Sequence, residues 1–221
     1  MDGTYSNLRR PIQLTDAVHP DSRAADPEDD AALIVACRAG EMRAYGLLVR
    51  RYQDRVFNLC WRMCGNRDDA EDFTQEAFVK ALQSIDRFAD RSRFYTWLFR
   101  IAVNVVITAR RQSGRRRTFS LEGDADSNSD GRSDSYRPAL ASNDPRPEDR
   151  AMQSEHQGLV LEALNGLDEG HRTVLVLRDM ESLGYDEIAD ILSVPAGTVK
   201  SRIHRARTAL RDALEPLLGM D

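Results

Sequence analysis

The stretch GYDEIADILSVPAGTVKSRIHRAR, residues 184–207, has the pattern of a helix-turn-helix. Between its two helical segments, Ser193–Pro195 breaks the periodicity, because proline disfavours helical geometry in the residue before it and suits a helix's first turn. The apolar residues of each segment fall on one face at helical spacing. They are Tyr185, Ile188, Ala189 and Leu192 in the first helix, and Val199, Ile203, Ala206 and Leu210 in the second.

The second helix of this motif carries polar and basic residues opposite its apolar stripe. The outward residues are Ser201, His204, Arg205 and Thr208, flanked by Lys200, Arg202 and Arg207. No acidic residue occurs from Gly197 to Arg211. A helix of this kind can enter the major groove of DNA and read base edges there. The alternative is a solvated amphipathic helix without a ligand.

The composition of the chain indicates a soluble, all-α protein. No long strand-like alternation occurs, no run of about 18 apolar residues could cross a membrane, and the N-terminus lacks a signal-peptide core. We therefore expect a cytoplasmic protein without membrane insertion. The 221 residues carry a net charge of −5, with basic patches at 93–117 and 197–211. Local basic patches on an acidic protein favour DNA contact at chosen faces and leave other faces for protein partners.

The first half of the chain predicts one four-helix domain. Residues 1–27 are polar and proline-containing and read as a disordered extension. The domain spans 28–113 and has four helical patterns with a continuous apolar side, enough for an independent core. The expected helices run from about 28 to Gly40, from Glu41 to about Met63, from Asp68 or Asp69 onward, and from about Phe94 to Gln112.

The second half predicts a tether and a second helical domain. Residues 114–151 are rich in Gly, Ser, Asp, Asn, Arg and Pro, and such a composition buries too little apolar surface to offset the entropy lost on ordering. They read as a flexible linker. Residues 152–221 then form a small helical domain that ends in the helix-turn-helix. The predicted fold is two small all-α domains joined by this linker.

The three cysteines are Cys37, Cys60 and Cys64. Cys60 and Cys64 lie one helical turn apart, so they could share a metal or pair under oxidation. Structural zinc usually requires four ligands in tight pairs, and no histidine is near them in sequence. The favoured interpretation is small buried side chains in a reducing compartment, with no metal and no cofactor. A thiol-based redox sensor remains an alternative.

Several motifs give the chain a resemblance to a known family. The motifs are LLVRRY at 47–52, AEDFTQEAF at 70–78, FYTWLFRIAVN at 94–104, and the region from Arg172 to Leu177 together with the helix-turn-helix through Arg211. With a four-helix domain, a tether and a second helical domain in that order, the chain resembles the extracytoplasmic-function (ECF) class of bacterial sigma factors. The resemblance implies a transcription initiation factor that binds core RNA polymerase and promoter DNA, and not an enzyme.

For the second domain, the resemblance implies reading of the minus-35 element as duplex DNA. The implied contact residues are Thr198, Lys200, Ser201, Arg202, His204 and Arg205. Arginine can grip guanine with two hydrogen bonds, and a helix N-terminus can hold a phosphate. For Arg202 and Arg207 the alternative is phosphate neutralisation or helix solubility.

For the first domain, the resemblance implies binding of the minus-10 element as separated strands. The implied residues are Phe88, Asn104, Arg110 and Arg111, with Asn104 reading a flipped base through an amide that both donates and accepts. The alternative for Asn104 is a capping or solvating role. Trp97 lies within the buried periodicity, so we expect core packing there rather than stacking on a base.

The resemblance also implies protein partners. The polar, mostly acidic third helix would dock on core polymerase through Asp72, Gln75 and Glu76, and an anti-sigma factor would silence the protein. The competing interpretation is a dimeric helix-turn-helix regulator of duplex operators. It explains the second domain but not the region of Asn104 or the acidic helix.

Overall fold

The computed structural model describes residues 27–89, 92–120 and 158–217, and the side chains at 27–29 and 113–120 are not described. Within these ranges the chain is helical without a strand, which confirms the predicted fold class. The helices are α1 (Pro27–Arg38), α2 (Met42–Cys64), α3 (Arg67–Ser84), α4 (Phe94–Ser120), α5 (158–166), α6 (Glu169–Leu175), α7 (Tyr185–Leu192) and α8 (Ala196–Leu214). The predicted N-terminal extension, except for Pro27, and most of the predicted linker lie outside the described residues.

The boundaries in the first domain follow local chain chemistry. Helix α2 ends where Gly65 adopts a left-handed conformation at φ 76°, a geometry that favours glycine. Asn66 then caps α3, since its side-chain oxygen accepts a hydrogen bond of 3.0 Å from the Asp69 amide. Helix α3 therefore begins at Arg67, slightly before the predicted Asp68 or Asp69.

The core of the first domain lies between α2, α3 and α4. Its members include Leu48, Val56, Leu59, Leu98 and Phe99, each with none of its surface exposed. Helix α1 is fixed to α2 by a buried carboxylate: Asp30 accepts hydrogen bonds from the Tyr52 hydroxyl and from Arg51, at 2.6 Å for Arg51. Burying that charge is tolerated because both partners satisfy it.

Helix α4 is longer than the sequence predicted. Its backbone continues to Ser120, beyond Gln112 and into the segment that the composition assigned to the linker. The sequence after Gln112 lacks the apolar periodicity on which the boundary was placed. Helical propensity continues because arginine is a good helix former.

In the second domain, α5 and α6 lead into the helix-turn-helix. Asp168 caps α6 by accepting a 3.0 Å hydrogen bond from the His171 amide. The helix then widens into a π-helical segment, Val176–Met180, before the chain turns at Ser182, whose φ is 58°. Helices α7 and α8 pack on each other, and α8 packs on α6, around the stripe Val199, Ile203, Ala206 and Leu210, all buried as predicted.

The set of buried residues on α7 differs from the predicted set. The buried residues of α7 are Ile188 and Ile191, whereas Tyr185 is 39% exposed. The ring of Tyr185 lies 4.8 Å below the Arg178 guanidinium carbon instead of in the core. Ala189 and Leu192 are half-buried. With only two turns, α7 buries the side that meets both α4 and α8, and Tyr185 lies at its outer edge.

The two domains are in direct contact. Helix α7 packs against α4, and α2 packs against α6 and the π-helical segment. The tether in the sequence predicted two independent bodies and gave no reason to expect this junction.

Candidate nucleic-acid interface

Helix α8 presents the predicted basic face to solvent. Lys200, Ser201, His204 and Arg205 are exposed, and Thr198 and Arg202 are half-buried. The face exists because the four apolar residues of the opposite stripe hold α8 against α6 and α7. The structure thus brings together all six residues proposed for minus-35 contact on one helix.

The local contacts of this face leave most of its donors available. The Ser201 hydroxyl donates to the Thr198 carbonyl at 3.0 Å, and the Arg205 Nε donates to the Ser201 carbonyl at 3.4 Å. The remaining donors of the Arg205 guanidinium make no hydrogen bond or ion pair within the described part of the chain. A planar guanidinium with free donors can hydrogen-bond both acceptor atoms on a guanine edge.

Arg207 is engaged elsewhere. Its guanidinium forms a two-pronged ion pair with Asp179, in which Nε lies 3.1 Å from one carboxylate oxygen. This hydrogen bonding raises the pKa of Arg207 above its usual value. Its role in this arrangement is to fasten α8 to the π-helical segment.

The N-terminus of α8 is open to an anion. Pro195 occupies the cap position and supplies no side-chain oxygen to the first amides, and the first turn contains no acidic residue. Unsatisfied amides at a helix N-terminus attract a phosphate. The Thr198 amide itself donates to the Pro195 carbonyl at 2.9 Å, so a phosphate here would contact the preceding amides and the Thr198 side chain.

On α4, Asn104 lies on a polar stripe that faces solvent. Asn104, Thr108 and Arg111 are exposed and follow one another at helical spacing, in continuation of the half-buried Trp97 and Ile101. In the described part of the chain, the Asn104 amide makes no hydrogen bond, which argues against the capping alternative, whereas its exposure also fits the solvating alternative. Thr108 was missed in the sequence, although its spacing of four from Asn104 was the available signal.

Phe88 is placed differently from its predicted role. It is 5% exposed and lies in an aromatic cluster, 5.2 Å from the Trp97 ring and 5.7 Å from the Phe94 ring. Its side chain therefore cannot stack on a DNA base in this arrangement. Its backbone carbonyl accepts a hydrogen bond from Arg38. The buried Phe88 ring anchors residues 85–89 to the core of the first domain. A single aromatic residue in a loop sequence gave no signal of this burial.

The two α4 arginines proposed for phosphate contact, Arg110 and Arg111, have protein contacts near the domain junction. Arg110 donates a 2.7 Å hydrogen bond to the Met63 carbonyl at the end of α2. Arg111 is 71% exposed and lies 3.8 Å from Glu169 of the second domain. The side chains of Arg115 to Arg117 are outside the described set. In this arrangement Asn104 and Arg111 face solvent, whereas Arg110 is held by the Met63 carbonyl.

The proposed polymerase-docking residues lie on the exposed side of α3. Asp72, Gln75 and Glu76 all face solvent, and Glu76 pairs with Lys80 at 2.6 Å. Gln75 also lines a shallow polar groove between α2 and α3. The groove has a volume of about 360 Å³, and its other lining residues are Gln53, Asp54, Phe57, Glu71 and Thr74.

The cysteines are unlike reactive thiols. All three are free, and burial raises the pKa of the Cys60 thiol to about 12 and that of Cys64 in the same direction. The Cys64 thiol donates to the Asn66 carbonyl at 3.1 Å. Thiolates are the reactive form, so these environments slow the chemistry that a redox sensor requires.

The main feature that sequence reasoning missed is the set of charges at the domain junction. Glu181, which has a 4% exposed side chain, lies 3.1 Å from Arg62 and 3.4 Å from Arg55. Glu187 accepts a hydrogen bond from the Tyr95 hydroxyl. These pairs join residues roughly a hundred positions apart, and no local pattern could link them.

Comparison with known proteins places the chain in a family. The Sigma-70 region 2 model matches residues 48–116, and the Sigma-70, region 4 model matches residues 157–210. The ECF RNA polymerase sigma-E factor of Haemophilus influenzae is 38% identical over 197 residues, covering 88% of this chain and 100% of that protein. The chain belongs to the ECF class of sigma factors. Among other relatives, SigW of Bacillus subtilis is 36% identical, with coverage of 81% and 94%.

Solved structures of sigma factors share the fold. CnrH, solved in complex with the cytosolic domain of CnrY, aligns at a TM-score of 0.58 and 25% identity over 85% of this chain and 98% of CnrH. RpoE of Bartonella quintana, solved with the anti-sigma factor NepR, aligns at 0.58 and 23% identity over 77% and 96%.

Membership in the family confirms the predicted function. As an ECF sigma factor, the protein acts in transcription initiation, with promoter DNA and core RNA polymerase as its partners. The family consists of transcription regulators rather than catalytic enzymes. The alternative of a dimeric operator-binding regulator is set aside, since the family models match both domains. Across the described ranges, every helix is too short or too polar for a bilayer crossing.

Proposed function

We propose that the two domains of this ECF sigma factor divide promoter recognition between α8 and α4. Helix α8 reads the minus-35 duplex through Ser201, His204 and Arg205, with Lys200 on a nearby phosphate, while Thr198 and the helix N-terminus hold another phosphate. The observation that carries this assignment is the exposed, acid-free face of α8, with its apolar stripe fully used in packing. Arg202, half-buried beside that face, neutralises a neighbouring phosphate.

The minus-10 element binds along the polar stripe of α4. Asn104 reads a base through its donor and acceptor, because a separated strand exposes its Watson–Crick edge. Thr108 and Arg111, on the same exposed stripe, follow the backbone of that strand. Arg110 contributes by fixing the end of α2 and reaches a phosphate only by releasing the Met63 carbonyl.

Core polymerase docks on α3. Asp72, Gln75 and Glu76 form an exposed polar surface on the helix, and the adjoining groove offers the carboxylates Asp54 and Glu71. Such a surface fits a partner segment rich in arginine or lysine. We expect Gln75→Ala to weaken holoenzyme formation about tenfold, whereas the exposed Arg43→Ala leaves it unchanged.

The protein is controlled by an anti-sigma factor and catalyses no reaction itself. Control by an anti-sigma factor is inferred from the family, in which a solved sigma factor was captured with the anti-sigma factor NepR. Catalysis stays with the polymerase, which also places the protein in the cytoplasm. Isolation of the tagged protein from unstressed cells should yield a second, stoichiometric protein that blocks holoenzyme formation. Recovery of polymerase subunits alone would count against such control.

The assignment of DNA residues is tested by run-off transcription with purified core polymerase on a library of promoter-like templates. Asn104→Ala and Arg205→Ala should each abolish start-specific transcripts that the unmodified protein supports. Arg211→Ala is the matched control, since Arg211 is exposed on α8 and lies 3.6 Å from Asp212. If Arg205→Ala is as active as the Arg211→Ala control, the assignment of α8 as the reading helix is wrong.

A further inference from the structure

Both ends of helix α1 are fixed in place. Near its start, the buried Asp30 carboxylate accepts a hydrogen bond from the Tyr52 hydroxyl of α2. After its end, Gly40 adopts a left-handed φ of 91°, and the Gly40 amide donates to the Cys37 carbonyl at 2.9 Å. A left-handed glycine with such a bond ends a helix sharply. The last turn of α1, which carries Arg38, therefore has a defined position.

From this last turn, Arg38 reaches the segment between α3 and α4. Its Nε donates to the Ile85 carbonyl at 3.3 Å, and its Nη2 donates to the Phe88 carbonyl. The Phe88 amide also donates to the Ile85 carbonyl, at 3.2 Å, and closes the turn. Because a guanidinium is a rigid planar fork, two bonds from one group fix both peptide units relative to each other. One side chain thus holds a turn that lies about fifty positions away in the sequence.

The turn depends on this contact. Phe88 is a buried residue, and within the described ranges its carbonyl has no donor other than Arg38. A buried carbonyl that loses its donor retains its desolvation cost, so the backbone would move to find water instead. Loss of Arg38 should therefore change the 85–89 segment first, and the core between α2, α3 and α4 much less.

The 85–89 segment lies beside the polar stripe of α4. The Phe88 ring lies 5.2 Å from the ring of Trp97, the half-buried residue from which the stripe continues to Asn104. Trp97 and Asn104 are two turns apart on the same face, which is about 10 Å along the helix. That distance corresponds to about three stacked nucleotides at roughly 3.4 Å each. A separated strand bound on this stripe therefore extends to the 85–89 segment.

The segment exposes groups that can hydrogen-bond a base. Asp86 and Arg87 are exposed, whereas Ile85 and Phe88 on either side of them are buried. A carboxylate accepts from the amino groups of bases, and a guanidinium donates to their ring nitrogens and carbonyl oxygens. Both side chains project from the turn that Arg38 holds, so the place of these groups depends on Arg38.

We propose that Arg38 is a positioning residue for recognition of the minus-10 strand. By holding the Ile85 and Phe88 carbonyls, it sets the 85–89 segment as a second contact to the separated strand. The segment contacts a base within about three nucleotides of the one that Asn104 reads. Arg38 acts through the backbone of the turn and not by touching DNA. The inference rests on the proposed assignment of α4 to the minus-10 element.

The first test measures base preference. Holoenzyme with the unmodified chain or with Arg38→Ala is bound to labelled single-stranded oligonucleotides that carry the minus-10 sequence of the best run-off template. Each position is replaced in turn by the other three bases, and ratios of dissociation constants give the preference at that position. Arg38→Ala should lower the preference about fivefold, the size of one base contact, within three nucleotides of the Asn104 base. Uniform weakening of all oligonucleotides, or no change in any, would overturn the proposal.

Two further variants separate geometry from charge. Arg43→Ala removes another exposed arginine, at the start of α2, and should keep every preference. Arg38→Lys keeps the positive charge but lacks the planar fork that serves two carbonyls at once. It should therefore lose the same preference as Arg38→Ala. A lysine variant with full preference would show that charge alone is needed, and positioning by Arg38 would be wrong.

The second test observes the segment itself. Amide hydrogen exchange followed by mass spectrometry should be about tenfold faster at 85–89 in Arg38→Ala than in the unmodified chain, while the buried middle of α2 exchanges at an unchanged rate. Unchanged exchange at 85–89 would refute the hold on the turn. Faster exchange across the whole first domain would make Arg38 a general stabiliser and would equally overturn the proposal.

The oligonucleotide assay also distinguishes this inference from the proposed function. Asn104→Ala identifies the base that α4 reads, because its preference disappears at that position. If Asn104→Ala keeps the preference at every position, the assignment of α4 is wrong, and the role of Arg38 fails with it. If Asn104→Ala loses one preference and Arg38→Ala loses none, only the role of Arg38 is refuted.

Discussion

Arginine has opposite roles in two regions of this molecule, the domain junction and the exposed face of α8. At the junction, Arg62 and Arg172 are buried and bound to a carboxylate and to backbone carbonyls. On α8, Arg205 is exposed and, within the described ranges, hydrogen-bonds only a carbonyl of its own helix. In the sequence, Arg62 and Arg172 lie outside the two basic patches, whereas Arg205 lies inside one. Arg110 also lies inside a patch and yet donates to the Met63 carbonyl, so a run of positive charge alone does not locate a DNA-binding surface.

The largest difference between the two regions should appear in stability. Arg172→Met should lower the free energy of unfolding by about 3 kcal/mol, because it removes donors from buried carbonyls. The same substitution at Arg205 should change it by less than about 0.5 kcal/mol. Urea denaturation of both variants measures this. Equal losses would mean that exposure does not distinguish the two regions.

The reverse difference should appear in DNA binding. Arg205→Ala should weaken binding of the full chain to a minus-35 duplex by about 1–3 kcal/mol and relax its preference at one base pair. Lys200→Ala should weaken all duplexes alike and reduce the salt slope by about 1. Fluorescence anisotropy at several salt concentrations tests both. A uniform loss for Arg205→Ala would make Arg205 a phosphate contact.

Arg110 and Arg111 are neighbours on α4, and their substitutions should differ in their effect on stability, as those of Arg172 and Arg205 do. Arg110→Ala should cost about 1 kcal/mol of stability through its hydrogen bond to Met63, whereas Arg111→Ala should cost almost nothing, since an exposed ion pair contributes little. Thermal unfolding compares the two. If Arg110→Ala impairs promoter opening while its melting temperature is unchanged, Arg110 belongs with the DNA-binding residues.

The smallest effect at neutral pH concerns Tyr95. Burial and the hydrogen bond to Glu187 raise its pKa above the usual 10.0. The protonated hydroxyl is therefore the form that the junction favours, and its contribution is complete below about pH 10 and is lost as the pH rises further. Small-angle X-ray scattering should show the domains separating earlier in that range than in a Tyr95→Phe variant, whose ring keeps its contacts with Arg55 and Phe99. Identical alkaline profiles would exclude Tyr95 as a titrating contact.

The sequence predicted what depends on local patterns. The apolar stripe of α8, the exposed side of α3, the end of α2 at Gly65 and the two-domain, all-α fold followed from periodicity and turn chemistry, and the structure confirms them. The end of α4 was placed too early, because an arginine-rich helix without apolar periodicity resembles a linker in composition.

What the sequence could not predict depends on long-range contacts. Phe88 is a core residue because Phe94 and Trp97 surround it. Glu181 is buried because Arg55 and Arg62 come from a helix more than a hundred positions away. Tyr185 fits the apolar periodicity of α7 yet lies against Arg178 at the surface. In each case the partner, and not the residue itself, determines the role.

The π-helical segment Val176–Met180 sets the rotation about the α6 axis at which the following residues leave that helix. An α-helix advances about 100° per residue, so an extra residue in a wide turn rotates the downstream chain relative to α6. Removing one residue here would return the segment to ordinary helical pitch and turn Glu181 away from α2. Because α8 packs on α6 as well as on α7, the same rotation would also disturb the packing of the buried stripe Val199, Ile203, Ala206 and Leu210. The wide turn thus sets the register of both the domain junction and the core of the second domain, and a single-residue deletion would disturb the two together.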